Sequence, residues 1–134
     1  MTSTQNNQLI QYSNRTLKRA DRALCCSPFQ LALFTAMGSA SVPLPIMAGQ
    51  MGQAQGYTQK PLSERRVEKD LLWLIDVGLL RREVDGQGIT DSFRLTPLGR
   101  QLVEKWEHQG GNLPTPSRLE RLFNTLNRWI RLPI

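Results

Sequence analysis

Cysteine, histidine and long apolar runs are all scarce in this chain of 134 residues, and each scarcity removes a class of protein. The two cysteines, Cys25 and Cys26, are adjacent, and the one histidine, His108, stands far down the chain. Adjacent thiols are a poor basis for a structural disulfide, and a zinc site needs four ligands at short spacing, so no metal is expected. His108 belongs near the last carbonyls of a helix that Gln109, Gly110 and Gly111 bring to an end. Nothing beside either thiol marks it as activated, so burial in helix packing is the expected role of both. Apolar stretches such as Leu31 to Phe34 and Leu71 to Ile75 are far shorter than the ~20 residues that span a bilayer, and no transmembrane helix is expected. Met1 to Gln8 lack the cationic and apolar regions of a secretory signal, which predicts a cytoplasmic location.

Positive charge is what the chain has in excess. The formal net charge is +6 and the pI is about 10, a balance that favours a polyanionic partner. All of the excess lies at the two ends. Arg15, Lys18, Arg19 and Arg22 face only Asp21 near the start, and Arg118, Arg121, Arg128 and Arg131 face only Glu120 near the finish. Between them, residues 28–111 are formally neutral, which does not describe a uniformly basic DNA-binding core. With 40% hydrophobic and 21% charged residues, the chain should fold, and its length fits one modest core.

Residues 1–13, rich in Thr, Gln and Asn, have no periodic apolar pattern and are expected to be disordered. Asn14 reads as the N-cap of a helix with Leu17, Ala20 and Leu24 on one face and a stripe of Arg15, Lys18, Arg19 and Arg22 on the other. Ser27 and Pro28 predict the next helix start. Its run Phe29, Leu31, Ala32, Leu33, Phe34, Ala36 and Met37 is apolar on nearly all sides and belongs at the centre of the domain, ending at Gly38. A short helix through Ile46, Met47 and Met51 is weakened by Gly49, and residues 52–62 read as a loop. Ser63 then caps a helix with the seam Val67, Leu71, Leu74 and Ile75, which Gly78 ends; Arg65, Arg66 and Lys69 lie on its other side. Leu79–Val84 and Ser92–Leu95 predict a β-hairpin around a loop at Asp85–Asp91, and Thr96 with Pro97 starts a helix through Leu98, Leu102, Val103 and Trp106.

The linker 109–116, QGGNLPTP, separates this 14–108 domain from a last helix at 117–134. There Ser117 and Glu120 form a capping box. Leu119, Leu122, Phe123, Leu126, Trp129 and Ile130 share one face, and Arg121, Arg128 and Arg131 share the other.

The element order makes the chain mainly α with a small β-hairpin, the layout of a winged helix-turn-helix with added N- and C-terminal amphipathic helices. The passage LLWLIDVGLLRREVDGQGITDSFRLTPLGRQLVEKW resembles the recognition helix, glycine stop, wing and return helix of the MarR and PadR-like regulators. In those families the second wing strand leads into Leu-Thr-Pro-x-Gly, which Leu95, Thr96, Pro97 and Gly99 match. The whole chain is also similar to a small uncharacterised cyanobacterial protein family, through TLKRADRAL, CSPF, GYTQKPLSE and REVDGQGITDSFRLTPLGRQL. That second resemblance implies no activity. Two departures from the winged-helix pattern bear on function. Roughly ten residues separate Met51 from Ser63 where such proteins use three or four. The wing tip, DGQGITD, carries an Asp at each end and no base to grip a phosphate.

With no paired nucleophile and base, no phosphate loop and no metal cluster, neither an enzyme nor a cofactor is expected. Two function classes fit. The first is a DNA-binding transcription regulator. In it Arg65, Arg66 and Lys69 would face the major groove, and Arg81, Arg82 and Arg94 on the wing strands, with the stripe Arg15 to Arg22, would neutralise phosphates. The bland alternative for each is a solvated face or a salt bridge to Glu64, Glu68 or Glu83. Trp73 is expected to pack under another helix or a second subunit, closing part of the groove-reading face. The second class is a non-catalytic winged-helix adaptor. It would meet a protein partner, a second copy of the chain or an anionic membrane surface through its terminal amphipathic helices.

Overall fold

Ser13, not Asn14, opens the first helix in the computed structural model, which describes residues 11–130. Most of the stretch expected to be disordered, together with Arg131, lies outside the described residues. Helix α1 runs Asn14–Cys26 and buries Ala20, Ala23 and Leu24; the Ser13 hydroxyl accepts from the Thr16 N–H at 3.1 Å.

Helix α2, Leu31–Ser39, starts later than Ser27 and Pro28 predict. The Ser27 hydroxyl donates back to the Leu24 carbonyl at the end of α1, and Phe29 is extended, bridging Thr58. Gln30 N–H is held by the Tyr57 carbonyl at 2.8 Å, so the backbone there is committed to the loop before α2 can begin. Inside α2, Leu31, Leu33, Phe34 and Met37 are buried, as a helix apolar on nearly all sides requires.

Strand β1, Val42–Pro43, is too short to leave a periodic signal, and its proline reads as a breaker; an edge position tolerates it because that N–H side need not pair. The short helix expected next is two, α3 at Leu44–Met47 and α4 at Gly49–Ala54, divided where Gly49 adopts φ +63°. Helix α5 spans Glu64–Asp76, capped by the Ser63 hydroxyl on Arg66 N–H. Strands β2, Leu80–Asp85, and β3, Gly88–Leu95, complete an antiparallel sheet in the order β1-β3-β2. The expected loop at Asp85–Asp91 is mostly strand. Val84 pairs with Ile89 and Asp85 with Gly88, leaving Gly86 and Gln87 as a two-residue turn.

Helix α6, Pro97–His108, begins where sequence predicts it. Thr96 Oγ1 accepts from Gly99 N–H at 3.1 Å and contacts the Gly78 and Leu79 carbonyls, while Thr96 N–H donates to Leu79 O at 3.0 Å. A Cβ at Gly99 would run into that same Leu79 carbonyl, so the Leu-Thr-Pro-x-Gly segment is a close backbone crossing between α6 and the entry to β2. The contiguous core extends from Ala20 to Val103, with Phe34, Phe93, Leu24, Leu33, Met37 and Leu71 among its fully buried members. Helix α7, Arg118–Ile130, contributes no described side chain to it. Among the described residues no helix is long and apolar enough to cross a membrane.

Candidate interaction site

The last helix is attached by its polar side. Ser117 caps it by accepting from Glu120 N–H at 3.2 Å, but the Glu120 carboxylate does not return to complete a capping box; it takes the Arg22 Nε–H of α1 at 2.8 Å. One turn on, Asn124 Oδ1 accepts from Trp73 Nε1–H of α5 at 3.0 Å. A turn further, Arg128 donates to Asp70 Oδ1 at 2.9 Å and to the Lys69 carbonyl at 3.1 Å. Residues 120, 124 and 128 are four apart and therefore lie on one side of a helix, and that side faces the body. The apolar stripe consequently faces away from it. Leu119, Leu122, Phe123 and Leu126 are 58, 52, 41 and 42% exposed, and Trp129 is 83% exposed.

Trp73 is buried under α7, as a tryptophan on that side of α5 was expected to be. Asp70, which sequence reading passes over, anchors the contact. It is buried, and its two carboxylate oxygens hold Arg66 and Arg128, each at 2.9 Å. The available signal was the i,i+4 spacing of Arg66 and Asp70. The long-range partner Arg128 had none.

The basic residues proposed for DNA fare unequally. Arg66 turns along its helix to Asp70. On the β2–β3 hairpin, Arg94 pairs with Glu83 at 2.9 Å and Arg81 approaches it at 3.8 Å. Arg82 reaches Glu68 at 3.4 Å and lies 4.9 Å from the centre of the Phe93 ring. Arg65 and Lys69 are exposed, and among the described residues no side-chain ion pair engages them. The tip of the β2–β3 hairpin combines Asp85 with exposed Val84 and Ile89, and Asp91 lies further along β3.

In the N-terminal stripe, Arg15 and Lys18 are exposed, while Arg19 buries an Nε with no partner among the described residues. Arg22 binds Glu120 and sits 5.2 Å over the Phe123 ring. These four side chains, with Asn14, Phe123 and Asn127, line a groove of about 450 Å³ between α1 and α7. Asp21, on the neighbouring side of α1, takes Lys105 and the Trp106 indole, each at 2.8 Å.

The cysteines lie at the end of α1 against the linker. Burial, reinforced by Asp21, pushes the Cys25 thiol up to about 12, and burial raises Cys26 as well. The protonated thiol is the unreactive one, so alkylation by iodoacetamide at pH 8 should run far more slowly than with a free cysteine. The folded state also holds the Cys25 proton more tightly than the unfolded chain does. Its contribution to stability is therefore complete below pH 9 and is lost as the pH rises towards 12, which a urea titration at several pH values would detect. Alkylation at the rate of an exposed thiol would contradict this placement.

These features define a mainly helical chain with a small three-stranded antiparallel sheet and an amphipathic helix fastened to its side. The chain belongs to the Npun_F0494-like family, whose model matches residues 10–128. No curated protein and no solved structure matches it.

Proposed function

We propose that the chain is a winged-helix domain that works without catalysis, as an adaptor whose C-terminal helix α7 docks onto a surface outside the chain. Support for the winged helix comes from the order α2, β1, α3 with α4, α5, β2, β3, from the β1-β3-β2 sheet, and from the Leu95-Thr96-Pro97-x-Gly99 crossing. The observation that carries the adaptor reading is the polar attachment of α7. A helix that merely completed a core would turn its leucines inward, whereas this one is held by Glu120, Asn124 and Arg128 and presents five large apolar side chains to solvent. Covering such side chains contributes ~1.5–3 kcal/mol each before ordering costs, and contiguous apolar patches of this kind mark interaction sites.

DNA-binding regulation is the second reading, favoured by exposed Arg65 and Lys69 on α5. It ranks lower because Arg66, Arg81, Arg82 and Arg94 are already engaged by Asp70, Glu83 and Glu68, and because α7 lies along one side of α5.

A double variant, Leu122→Asp with Leu126→Asp, tests the first reading. It should retain the parent melting temperature, because both side chains are exposed, yet lose most of the fluorescence enhancement of an apolar dye. Equal dye binding by parent and variant would remove α7 as the docking element. An Arg65→Ala, Lys69→Ala variant should bind labelled duplex DNA as the parent does; a loss of tenfold or more in anisotropy titrations would put the DNA reading first.

A further inference from the structure

We infer that the surface met by α7 is an anionic phospholipid bilayer, with lipid phosphates seated in the groove between α1 and α7. The inference rests on α7 being the docking element and names what it docks onto. Charge complementarity selects the partner. The apolar stripe Leu119, Leu122, Phe123, Leu126 and Trp129 is bordered by cations on both sides. Exposed Arg118 and Arg121 come from α7 itself, and Arg15, Lys18, Arg19 and Arg22 come across the groove from α1. Phe123 belongs to both the stripe and the groove, so an apolar phase and an anionic layer would be met together. That is the layering of a bilayer interface, where a helix lying in the plane buries its apolar face and meets headgroups at its flanks.

The other occupants fit less well. Duplex DNA offers phosphates but nothing to cover five large apolar side chains. A second copy offers an apolar stripe but brings its own cations against these, a like-charge meeting in a chain of net charge +6. Within the groove, Arg15 and Lys18 make no ion pair among the described residues, and the buried Arg19 Nε has no acceptor there. Trp129, the most exposed of the large apolar side chains, stands near the end of the helix, and an amphipathic indole is well suited to the headgroup level.

The test is co-sedimentation of the full chain with vesicles of phosphatidylcholine, with and without phosphatidylglycerol, at low and high salt. The chain should pellet with the phosphatidylglycerol vesicles, not with phosphatidylcholine alone, and release as salt rises. A blue shift of tryptophan emission should accompany binding and vanish in Trp129→Phe. Arg15→Gln and Lys18→Gln should each weaken binding roughly fivefold, in line with the contribution of one surface cation. The Leu122→Asp, Leu126→Asp variant should abolish it.

Failure to pellet with phosphatidylglycerol vesicles at low salt overturns the bilayer, and so does undiminished pelleting of the leucine variant, which would reduce the contact to adsorption of charge. If pelleting fails while sedimentation velocity finds a dimer that the leucine variant lacks, the occupant is a second copy and α7 remains the docking element. If the leucine variant also leaves dye binding unchanged, the docking reading falls with the inference.

Discussion

Replacing Gly99 by alanine is expected to cost at least the ~3 kcal/mol that marks the upper end of ordinary overpacking. In an exposed helix the same change gains roughly 0.5–1 kcal/mol, so the expected sign is opposite to propensity. The reason is that the added methyl meets backbone. The Leu79 carbonyl in its way already accepts the Thr96 N–H at 3.0 Å, and the preceding residue, Gly78, holds φ +90° at the end of α5. Moving that carbonyl disturbs the entry to β2, and moving α6 instead draws Leu98, Leu102 and Val103 out of the core. Thermal unfolding followed by circular dichroism should register a fall of many degrees. Gly86→Ala in the β2–β3 turn, where a Cβ would meet nothing within 4 Å, should leave the transition nearly in place. Equal melting temperatures for the two variants would contradict the crossing.

Phe93→Ala should be at least as damaging, by about 3–5 kcal/mol. Phe93 is fully buried on the central strand β3, where it pairs with Val42 of β1 on one side and Arg82 of β2 on the other. Its ring also supports the Arg82 guanidinium, which reaches Glu68 on α5. Truncation therefore opens a cavity and at the same time removes the platform that joins β2 to α5, the latter worth a further ~0.5–2 kcal/mol. Phe93→Leu should recover much of the loss. A cost below ~1 kcal/mol for the alanine variant in urea unfolding would mean that β3 is not a core strand.

Legibility in sequence followed the range of the forces involved. The starts of α5 and α6 could be read because Ser63 and Thr96 satisfy N–H groups three residues ahead, a local transaction. Gly78 announced the end of α5 through its own backbone freedom, whereas Gly49, expected only to weaken a single helix, divides two. The start of α2 was misplaced because Ser27 also had a local use at the end of α1, and because the pairing of Phe29 with Thr58 joins distant segments. Strand β1 was invisible since two residues have no period. At the interaction site, the amphipathic character of α7 was fully visible, but the side that would face the body was not. Apolar faces are expected to turn inward, and only the particular positions of Arg22, Trp73 and Asp70 on α1 and α5 reverse that expectation. Glu120 shows the limit well: a capping box and a salt bridge to Arg22 compete for the same carboxylate, and tertiary distance decides.

The polar fastening of α7 also shapes how the chain comes apart. Detaching that helix breaks a few hydrogen bonds and ion pairs and uncovers Trp73 but little other hydrocarbon, so the step carries only a small heat-capacity change and responds weakly to urea. Melting the rest exposes the whole cluster from Ala20 to Val103 and carries nearly all of both signatures. The backbone amides of α7 therefore open to hydrogen exchange at a lower free energy than those of α2 or α5, in a separate unit whose stability falls with ionic strength while that of the core does not.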